Sequence, residues 1–111
     1  MFKFIVYVPL SHVDVVKQAL FAAGAGRIGD YDCCCFQTEG QGQFRARAGA
    51  NPFLGQIDQI EYVTEAKLEL VCERTLAKQA INAMIAAHPY EEPAYQIISV
   101  LQAKDLDELT G

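Results

Sequence analysis

The sequence contains no tryptophan, only two histidines and no cluster of lysines or arginines. Proteins that neutralise nucleic-acid phosphates need a basic face, whereas this chain has 9 Lys+Arg against 14 Asp+Glu and a net charge of −5. No apolar run approaches the roughly 20 residues of a membrane helix. The first apolar stretch has neither a basic leader nor a small-residue cleavage site. These absences predict a cytoplasmic protein with neither nucleic acid nor membrane as a partner.

The residues that are present are enough for one domain with its own core. The chain has 111 residues, of which 51% are hydrophobic and 21% charged, so disorder is not expected. Its four cysteines are the consecutive Cys33, Cys34 and Cys35 together with Cys72. Adjacent residues of a strand point to opposite sides, so this spacing makes a poor disulfide framework. We expect reduced thiols, most of them small core residues.

The order of the predicted elements indicates an α+β, ferredoxin-like fold, an antiparallel sheet with two helices on one face. One helix is expected to begin at a Ser11 capping box and stop at Gly24, and the other to begin at Thr75 and stop at His88. The glycine-rich turn 39–42 predicts a hairpin, followed by a long loop over 49–62. The predicted strands are Phe2–Val8, Tyr31–Thr38, Gln43–Ala48, Val63–Glu73 and Tyr95–Leu101. Residues 1–103 form the predicted domain, and 104–111 form a polar, acidic tail expected to fray.

Two of the predicted strands are apolar on both faces. In the first strand Ile5 and Tyr7 lie opposite Phe4 and Val6, whereas a sheet face in contact with water should be polar. A partner surface is therefore favoured, and we predict a homo-oligomer that packs through its sheet faces. The alternative is that the loop over 49–62 folds across this face within the monomer.

The segment from His88 to Tyr95 predicts a candidate metal site. A turn at Pro89 would bring His88 close to Glu91, and an imidazole and a carboxylate together are ligands for a divalent metal. A third ligand would have to come from Glu92, Asp32, Cys33, His12 or another subunit. The alternative is a rigid helix-to-strand connector whose acids are solvated.

The stretch from Gly24 to Gly29 matches the string G-x-G-x-x-G, but it follows a helix and precedes a strand, which is the reverse of the order that a dinucleotide site needs. The glycines are better explained as a helix C-cap and a loop, although Arg27 beside the loop amides can meet an anion. Arg45 and Arg47 share a strand face and can pair with Glu65, Glu69 or an anion.

Evidence for catalysis is weak, because no nucleophile elbow, phosphate-binding loop or H-E-x-x-H motif is present. The enzyme alternative would use His88 and Glu91 as an acid–base pair, with Cys33 as a weak nucleophile.

Four blocks of the sequence occur together in one known family. They are Gly24-x-Gly26-x-Ile28-Gly29-x-Tyr31-Asp32-x-Cys34-x-Phe36, Gly40-x-Gly42-x-Phe44-Arg45, Gly49-Ala50-Asn51-Pro52-Phe53-x-Gly55 and His88-Pro89-Tyr90-Glu91-Glu92-Pro93-Ala94-Tyr95. The chain thereby resembles the YqfO-like domain, the middle insert of longer Nif-three-like proteins that are often catalogued as GTP cyclohydrolase homologues. The resemblance implies a ferredoxin-like domain similar to CutA and PII trimers. In the longer relatives a dinuclear metal site belongs to the flanking halves, so no metal ligand or hydrolase activity carries over to this chain.

The resulting expectation is a non-catalytic, oligomeric binding or regulatory module, with a trimer favoured. It would hold a divalent metal or a small anion near subunit boundaries, where the loop over 49–62, the glycine loop and the pair His88 and Glu91 could converge. The alternative is an assembly domain for a separately encoded protein. The candidate ligand-contacting residues are Gly26, Arg27, Gly29 and Asn51, and the candidate metal ligands are His88, Glu91, Glu92 and Cys33.

Overall fold

The computed structural model describes the backbone of residues 1–110 and the side chains of residues 1–107. Its four strands form one antiparallel sheet with the order β2-β3-β1-β4. The strands are β1 Phe2–Pro9, β2 Phe36–Arg45, β3 Ile60–Cys72 and β4 Tyr95–Ser99, and the helices are α1 Val13–Ala22, α2 Ala77–Ala87 and α3 Ala103–Thr110. The predicted α+β, ferredoxin-like class is confirmed. Within residues 1–110 there is no helix with the length and apolar character needed to cross a bilayer.

The core lies between one face of the sheet and the two helices α1 and α2. Alternate residues of β1 point into it, so that Phe4, Val6 and Val8 are fully buried, as the period of a strand requires. The helices contribute the predicted stripes at helical spacing. Fully buried helix residues are Val16, Leu20, Ala80 and Met84.

The other face of the sheet is left without a covering layer of helices. Ile5 and Tyr7 of β1 are half-buried there, and Ile98 of β4 is 45% exposed. Lys3 forms an ion pair of 2.9 Å with Glu69 on the same face. This open face therefore mixes apolar side chains with a half-buried ion pair.

The predicted hairpin at 39–42 is wrong, because residues 36–45 form a single strand that pairs without interruption with β3. Gly40 and Gly42 have no positive φ, so they make no turn. A β-carbon at Gly42 would overlap the carboxylate of Glu65 on the neighbouring strand, so this glycine supplies space. The true hairpin joins β2 to β3 through the loop 46–59. The molecule is 54 Å long and 27 Å wide.

The N-terminal ends of α1 and α2 differ from the prediction. Neither Ser11 nor Thr75 caps a helix, because each helix is preceded by a 3-10 turn and begins at Val13 or Ala77 without a side-chain cap. The predicted stop at Gly24 is confirmed, since Gly24 has φ +103° and the next amide returns to the Leu20 carbonyl, the pattern of a glycine C-cap.

The predicted frayed tail is a helix. α3 begins at Ala103, and the backbone N–H of Gln102 donates to the carboxylate of Asp105 at 2.7 Å. This bond satisfies one of the free amides at a helix start, which is half of a capping box. The division between a domain ending at 103 and a tail remains a prediction.

Candidate functional site

The segment 88–94 is fastened at both ends to one residue of β1. At its start, the His88 ring donates through Nε2–H to the Tyr7 carbonyl at 2.7 Å. At its end, the Ala94 carbonyl accepts from the Tyr7 N–H at 3.1 Å. The segment therefore leaves α2 and returns to the same residue of β1 before β4 begins.

The hydrogen bonds of His88 define its protonation state. Its Nδ1 accepts the Tyr90 N–H at 3.1 Å while its Nε2 donates to Tyr7, so the ring is the neutral Nε2–H tautomer. His88 is 7% exposed, and burial lowers its pKa. The Tyr7 hydrogen bond and the Glu65 carboxylate act in the opposite direction, and His12 adds to the lowering. Neither ring nitrogen is left to bind a metal.

A cluster of aromatic rings joins this segment to the hairpin and its loop. The Tyr90 ring lies 6.1 Å from Phe44 of β2 and 6.3 Å from Phe53 of the loop, measured between centroids. Phe53 also meets His12 edge-on at 5.6 Å. These are distances at which aromatic pairs attract each other, so the cluster holds three distant parts of the chain together.

A backbone hydrogen bond reinforces the same junction. The N–H of Asn51 donates to Glu91 Oε1 at 3.2 Å, and the two residues are 40 positions apart. The expected convergence of the long loop with the His88–Glu91 segment is therefore observed, and it is made by Asn51, one of the predicted ligand-contacting residues.

The junction encloses a groove of about 890 Å³. Its walls come from the end of β2 with the following loop, from β3 at Glu65, and from the segment 90–94. Three rings, two arginines and three glutamates line it, namely Phe44, Phe53, Tyr90, Arg45, Arg47, Glu65, Glu91 and Glu92. A concave apolar surface with a few polar groups is the usual form of a ligand site.

Tyr90 and Glu65 meet at the base of this junction. The Tyr90 hydroxyl is buried and has no well-formed hydrogen bond among the described residues. Burial raises the pKa of the hydroxyl, and the neighbouring Glu65 carboxylate raises it further. The carboxylate is thus close enough to act on the hydroxyl, and it reaches this place over the bare backbone of Gly42.

The arginines do not form the predicted cross-strand pairs with Glu65 or Glu69. Arg47 instead meets Asp58 of its own loop, Nε to Oδ1, at 3.5 Å, and both side chains are mostly exposed. Among the described side chains Arg45 has no carboxylate partner. Both residues line the groove, and Arg47 is the one whose guanidinium group is already ion-paired.

The four predicted metal ligands are not brought together. Glu91 and Glu92 line the groove, but His88 has both nitrogens engaged and Cys33 is an exposed loop residue with φ +53°. Among the side chains that the structure describes, those of residues 1–107, no three from His, Cys, Asp or Glu come close enough to share a metal ion. Within one copy of the chain this set makes no metal site, and its role remains a prediction.

The glycine loop lies at the other end of the sheet. The Gly26 N–H donates to the Val71 carbonyl at 2.7 Å. Val71 pairs with Lys3 at the start of β1, whereas the groove lies beyond the other end of β1. Gly26, with φ +78°, has no space for a β-carbon, while Arg27 and Gly29 are exposed. These three residues do not join Asn51, so the predicted ligand contacts are divided between the two ends.

The cysteines differ in part from the expectation. Cys72 is core, at 2% exposure. The stretch from Tyr31 to Cys35 lies outside any strand, so Cys33 is exposed and Cys34 and Cys35 are half-buried. Burial raises the pKa of the Cys35 thiol, which makes it a poor nucleophile.

Comparison with known proteins identifies relatives of nearly the whole chain, although no protein-family model matches it. A Bacillus subtilis protein named GTP cyclohydrolase 1 type 2 homolog is 48% identical over 100 residues, which are 90% of this chain and 27% of that protein. A Bacillus cereus protein related to NIF3 superposes with a TM-score of 0.79 at 39% identity, covering 91% of this chain and 26% of that one. The chain spans about a quarter of the length of these relatives.

Two CutA structures share the fold over the whole domain. The periplasmic divalent cation tolerance protein CutA of Archaeoglobus fulgidus has a TM-score of 0.65 at 18% identity, covering 96% of this chain and 93% of its own. The PII-like protein CutA of Nostoc has a TM-score of 0.62 at 15% identity, covering 98% and 89%. The predicted resemblance is confirmed, and the chain is a homologue of one segment of the NIF3-related proteins, with the CutA/PII-like fold.

Proposed function

We propose that this domain is a non-catalytic binding module whose ligand site is the groove between the β2–β3 loop and the segment 88–94. The observation that carries the proposal is the joining of these two segments by the Tyr90 ring cluster and the Asn51–Glu91 hydrogen bond. Loops held by aromatic contacts and hydrogen bonds form a site before the ligand arrives, which lowers the entropy cost of binding.

The ligand that the groove favours is a small anion. Arg45 and Arg47 lie two residues apart along one edge of the groove, and guanidinium groups bind carboxylates and phosphates with paired hydrogen bonds. Of the acids in the lining, Glu91 already accepts the Asn51 amide and Glu65 lies beside the Tyr90 hydroxyl. Arg45 has no carboxylate partner among the described side chains, which supports it as the contact for an anion.

Titration with inorganic phosphate, followed by NMR of the isotope-labelled full chain, tests this proposal. We expect saturable shifts of the Arg45, Arg47 and Ala48 amides, and their loss in an Arg45→Gln/Arg47→Gln double variant. The exposed Lys78 of α2 offers a control, because Lys78→Gln removes a positive charge outside the groove lining. If the Lys78→Gln variant loses the shifts to the same extent, the effect is one of net charge and the proposal is wrong.

We also propose that the domain assembles with itself, as a trimer, through the open face and edges of the sheet. The half-buried Ile5 and Tyr7 and the exposed Ile98 support this assembly, because apolar residues on a sheet face gain stability by burial. All four cysteines are free thiols, which supports the cytoplasm as the compartment. Native mass spectrometry should give three copies per particle, and Ile98→Lys should shift the population to monomer; a monomeric wild-type chain would refute the assembly.

A divalent cation is the second candidate ligand, favoured by the name of the CutA neighbour from Archaeoglobus fulgidus and by the two groove carboxylates Glu91 and Glu92. Two carboxylates are too few for a closed site, so a second copy would have to complete it. Isothermal titration with zinc, compared between the wild type and Glu91→Gln/Glu92→Gln, tests this candidate. Equal heats for both would exclude these residues as ligands.

A further inference from the structure

We propose that the aromatic side of the groove binds an organic ammonium ion, with the cation over the ring cluster of Phe44, Phe53 and Tyr90 and beside a carboxylate. The carboxylate is that of Glu65. This inference rests on the proposed function, which makes the groove a ligand site. It concerns a different side of the groove from the anion contact at Arg45, and it names the class of ligand that this side would take.

The pairing of β2 with β3 determines which charges lie on the ring side of the groove. Gly40 pairs directly with Glu65, and residues paired in this way in an antiparallel sheet lie on the same face. Phe44 is four residues from Gly40 along β2, so Phe44 and Glu65 share that face. Arg45 is the next residue and lies on the opposite face. The ring side therefore has a carboxylate from β3 and no guanidinium group from β2.

The Glu65 carboxylate is held beside the ring cluster and has no cation of its own. It lies over the bare backbone of Gly42, where a β-carbon would overlap it. Burial raises the pKa of the Tyr90 hydroxyl and the Glu65 carboxylate raises it further, so the carboxylate is close to this ring. Among the described side chains it forms no ion pair. A positively charged ligand would complement this charge.

The rings offer a surface that suits a large organic cation. The Tyr90 ring is inclined at 56° to Phe44 and at 51° to Phe53, so the three rings do not cover one another by stacking. Phe53 is 48% exposed and the neighbouring Leu54 is 37% exposed, and both line the groove. The face of an aromatic ring attracts a cation that lies within about 6 Å of its centre. The alkyl groups of an organic ammonium ion would also cover the apolar surface of Leu54.

The charge balance of the whole lining points in the same direction. Three glutamates and two arginines line the groove, and Arg47 is already paired with Asp58, which lies outside the lining. Glu92, on the segment that carries Tyr90, has no partner among the described side chains. The volume of about 890 Å³ is within the range of roughly 300–1,000 Å³ for sites that take small organic molecules. The lining therefore favours a small organic ligand of positive charge on the ring side.

Three compounds of similar shape and different charge test the proposal on the full chain. Choline carries a trimethylammonium group, 3,3-dimethylbutan-1-ol has carbon in place of its nitrogen, and 3,3-dimethylbutanoate carries a negative charge beside the same tert-butyl group. NMR of the isotope-labelled protein at constant ionic strength follows the amides of Phe44, Phe53, Leu54 and Tyr90. Choline should bind about tenfold more tightly than the alcohol, because attraction to the rings and to the carboxylate each contributes a factor of a few. The butanoate should bind these amides most weakly.

Matched variants locate the cation within the groove. Phe53→Leu keeps an apolar side chain and removes the ring face, so it should weaken choline by about threefold and leave the alcohol nearly unchanged. Glu65→Gln keeps the shape and removes the charge, with the same expected result. Glu39→Gln is the control, because it removes an exposed carboxylate of β2 outside the lining, and it should leave choline binding unchanged. Circular dichroism confirms that each variant is folded, and Glu92→Gln replaces Glu65→Gln if the latter unfolds.

The outcomes distinguish the ligand class from the underlying site. If the alcohol binds as tightly as choline, or if the butanoate binds most tightly at the ring-side amides, the ammonium proposal is refuted. If Glu39→Gln weakens choline as much as Glu65→Gln does, the attraction is to net charge and the assigned site is wrong. If choline has no effect while phosphate shifts the Arg45 amide, this inference fails and the proposed function stands. If neither choline nor phosphate shifts any amide of the groove, the proposed function fails as well.

Discussion

Replacing His88 by glutamine should remove an acid-dependent loss of stability from the folded protein. In the wild type, Nδ1 of the buried ring accepts the Tyr90 amide and Nε2–H donates to the Tyr7 carbonyl. A protonated ring has two donors and no acceptor, so protonation breaks the bond to Tyr90 and leaves a positive charge in a site with 7% exposure. The Tyr90 amide would then be a buried donor without a partner, at a cost of about 1–3 kcal/mol.

The direction of the pH effect follows from the lowered pKa of His88. Burial lowers this pKa from 6.5, and 6.5 is the value that applies to the unfolded chain. Below pH 6.5 the unfolded state therefore binds more protons than the folded state. The contribution of His88 to stability is therefore complete above pH 6.5 and is lost as the pH falls toward the folded-state pKa. One proton gives a maximum slope of about 1.4 kcal/mol per pH unit.

Urea unfolding between pH 5.0 and 7.5 measures this slope. The difference in the free energy of unfolding between wild type and His88→Gln should shrink steadily below pH 6.5, since acidic residues titrate alike in both proteins. His12→Gln is the matched control, because it leaves both hydrogen bonds of His88 in place. The charge of His12 is the smallest of the contributions to the His88 pKa, so this variant should keep most of the wild-type pH dependence. If the difference between wild type and His88→Gln is constant over this range, His88 is not the buried neutral acceptor that the structure describes.

Four further substitutions test the packing around the groove, in the glycine loop and in the core. Tyr90→Phe removes a buried hydroxyl without a well-formed bond and should leave the free energy of unfolding unchanged or raise it by up to about 1 kcal/mol; a larger loss in urea unfolding would mean that the hydroxyl is bonded to Glu65. Gly26→Ala should destabilise more than Gly29→Ala: both glycines have positive φ, but a β-carbon at Gly26 lies 2.8 Å from the Cys34 carbonyl and one at Gly29 meets nothing. The φ strain alone is worth about 1–2 kcal/mol, so equal urea midpoints for the two variants would contradict the contact. Leu20→Ala, at a fully buried position, should lose about 2–5 kcal/mol on thermal or urea unfolding, and a loss below 1 kcal/mol would contradict its place in the core.

The parts of the fold that depend on local period were predictable from the sequence. The alternation of Phe4, Val6 and Val8 and the helical spacing of Val16 and Leu20 correspond to the buried faces of β1 and α1. These patterns are set by the geometry of one element at a time. They identify the core and the order of elements without knowledge of any distant contact.

The hairpin was not predictable in this way, because a glycine has more than one use. The sequence pattern indicates a turn at Gly40 and Gly42, whereas both glycines are strand residues in the structure. The carboxylate of Glu65 occupies the space above Gly42. Whether a glycine provides a positive φ or an empty space depends on the side chain of its cross-strand neighbour. A single sequence does not give that pairing.

The contacts within the candidate site depend on residues far apart in the sequence. The sequence indicates that the His88 segment and the long loop can converge, and Asn51 and Glu91 do meet. Within one copy the His88 ring bonds the carbonyl of Tyr7, 81 residues away, and a metal-binding role for His88 stays a prediction. The aromatic cluster of Phe44, Phe53 and Tyr90 is likewise assembled from three separate segments, and no periodic pattern links them.

The fastening of the segment 88–94 to Tyr7 has a consequence for how this domain can vary. Because both ends bond to the backbone of one residue, Tyr7, the intervening chain is a closed loop whose length does not alter the path of β1 or β4. The entropy cost of closing a loop rises by only about 0.6 kcal/mol for each doubling of its length. Insertions between Glu91 and Pro93, beyond the contacts of Tyr90 and Glu91, should therefore be tolerated, and they would change the depth and the charge of the groove while the sheet beneath keeps its register.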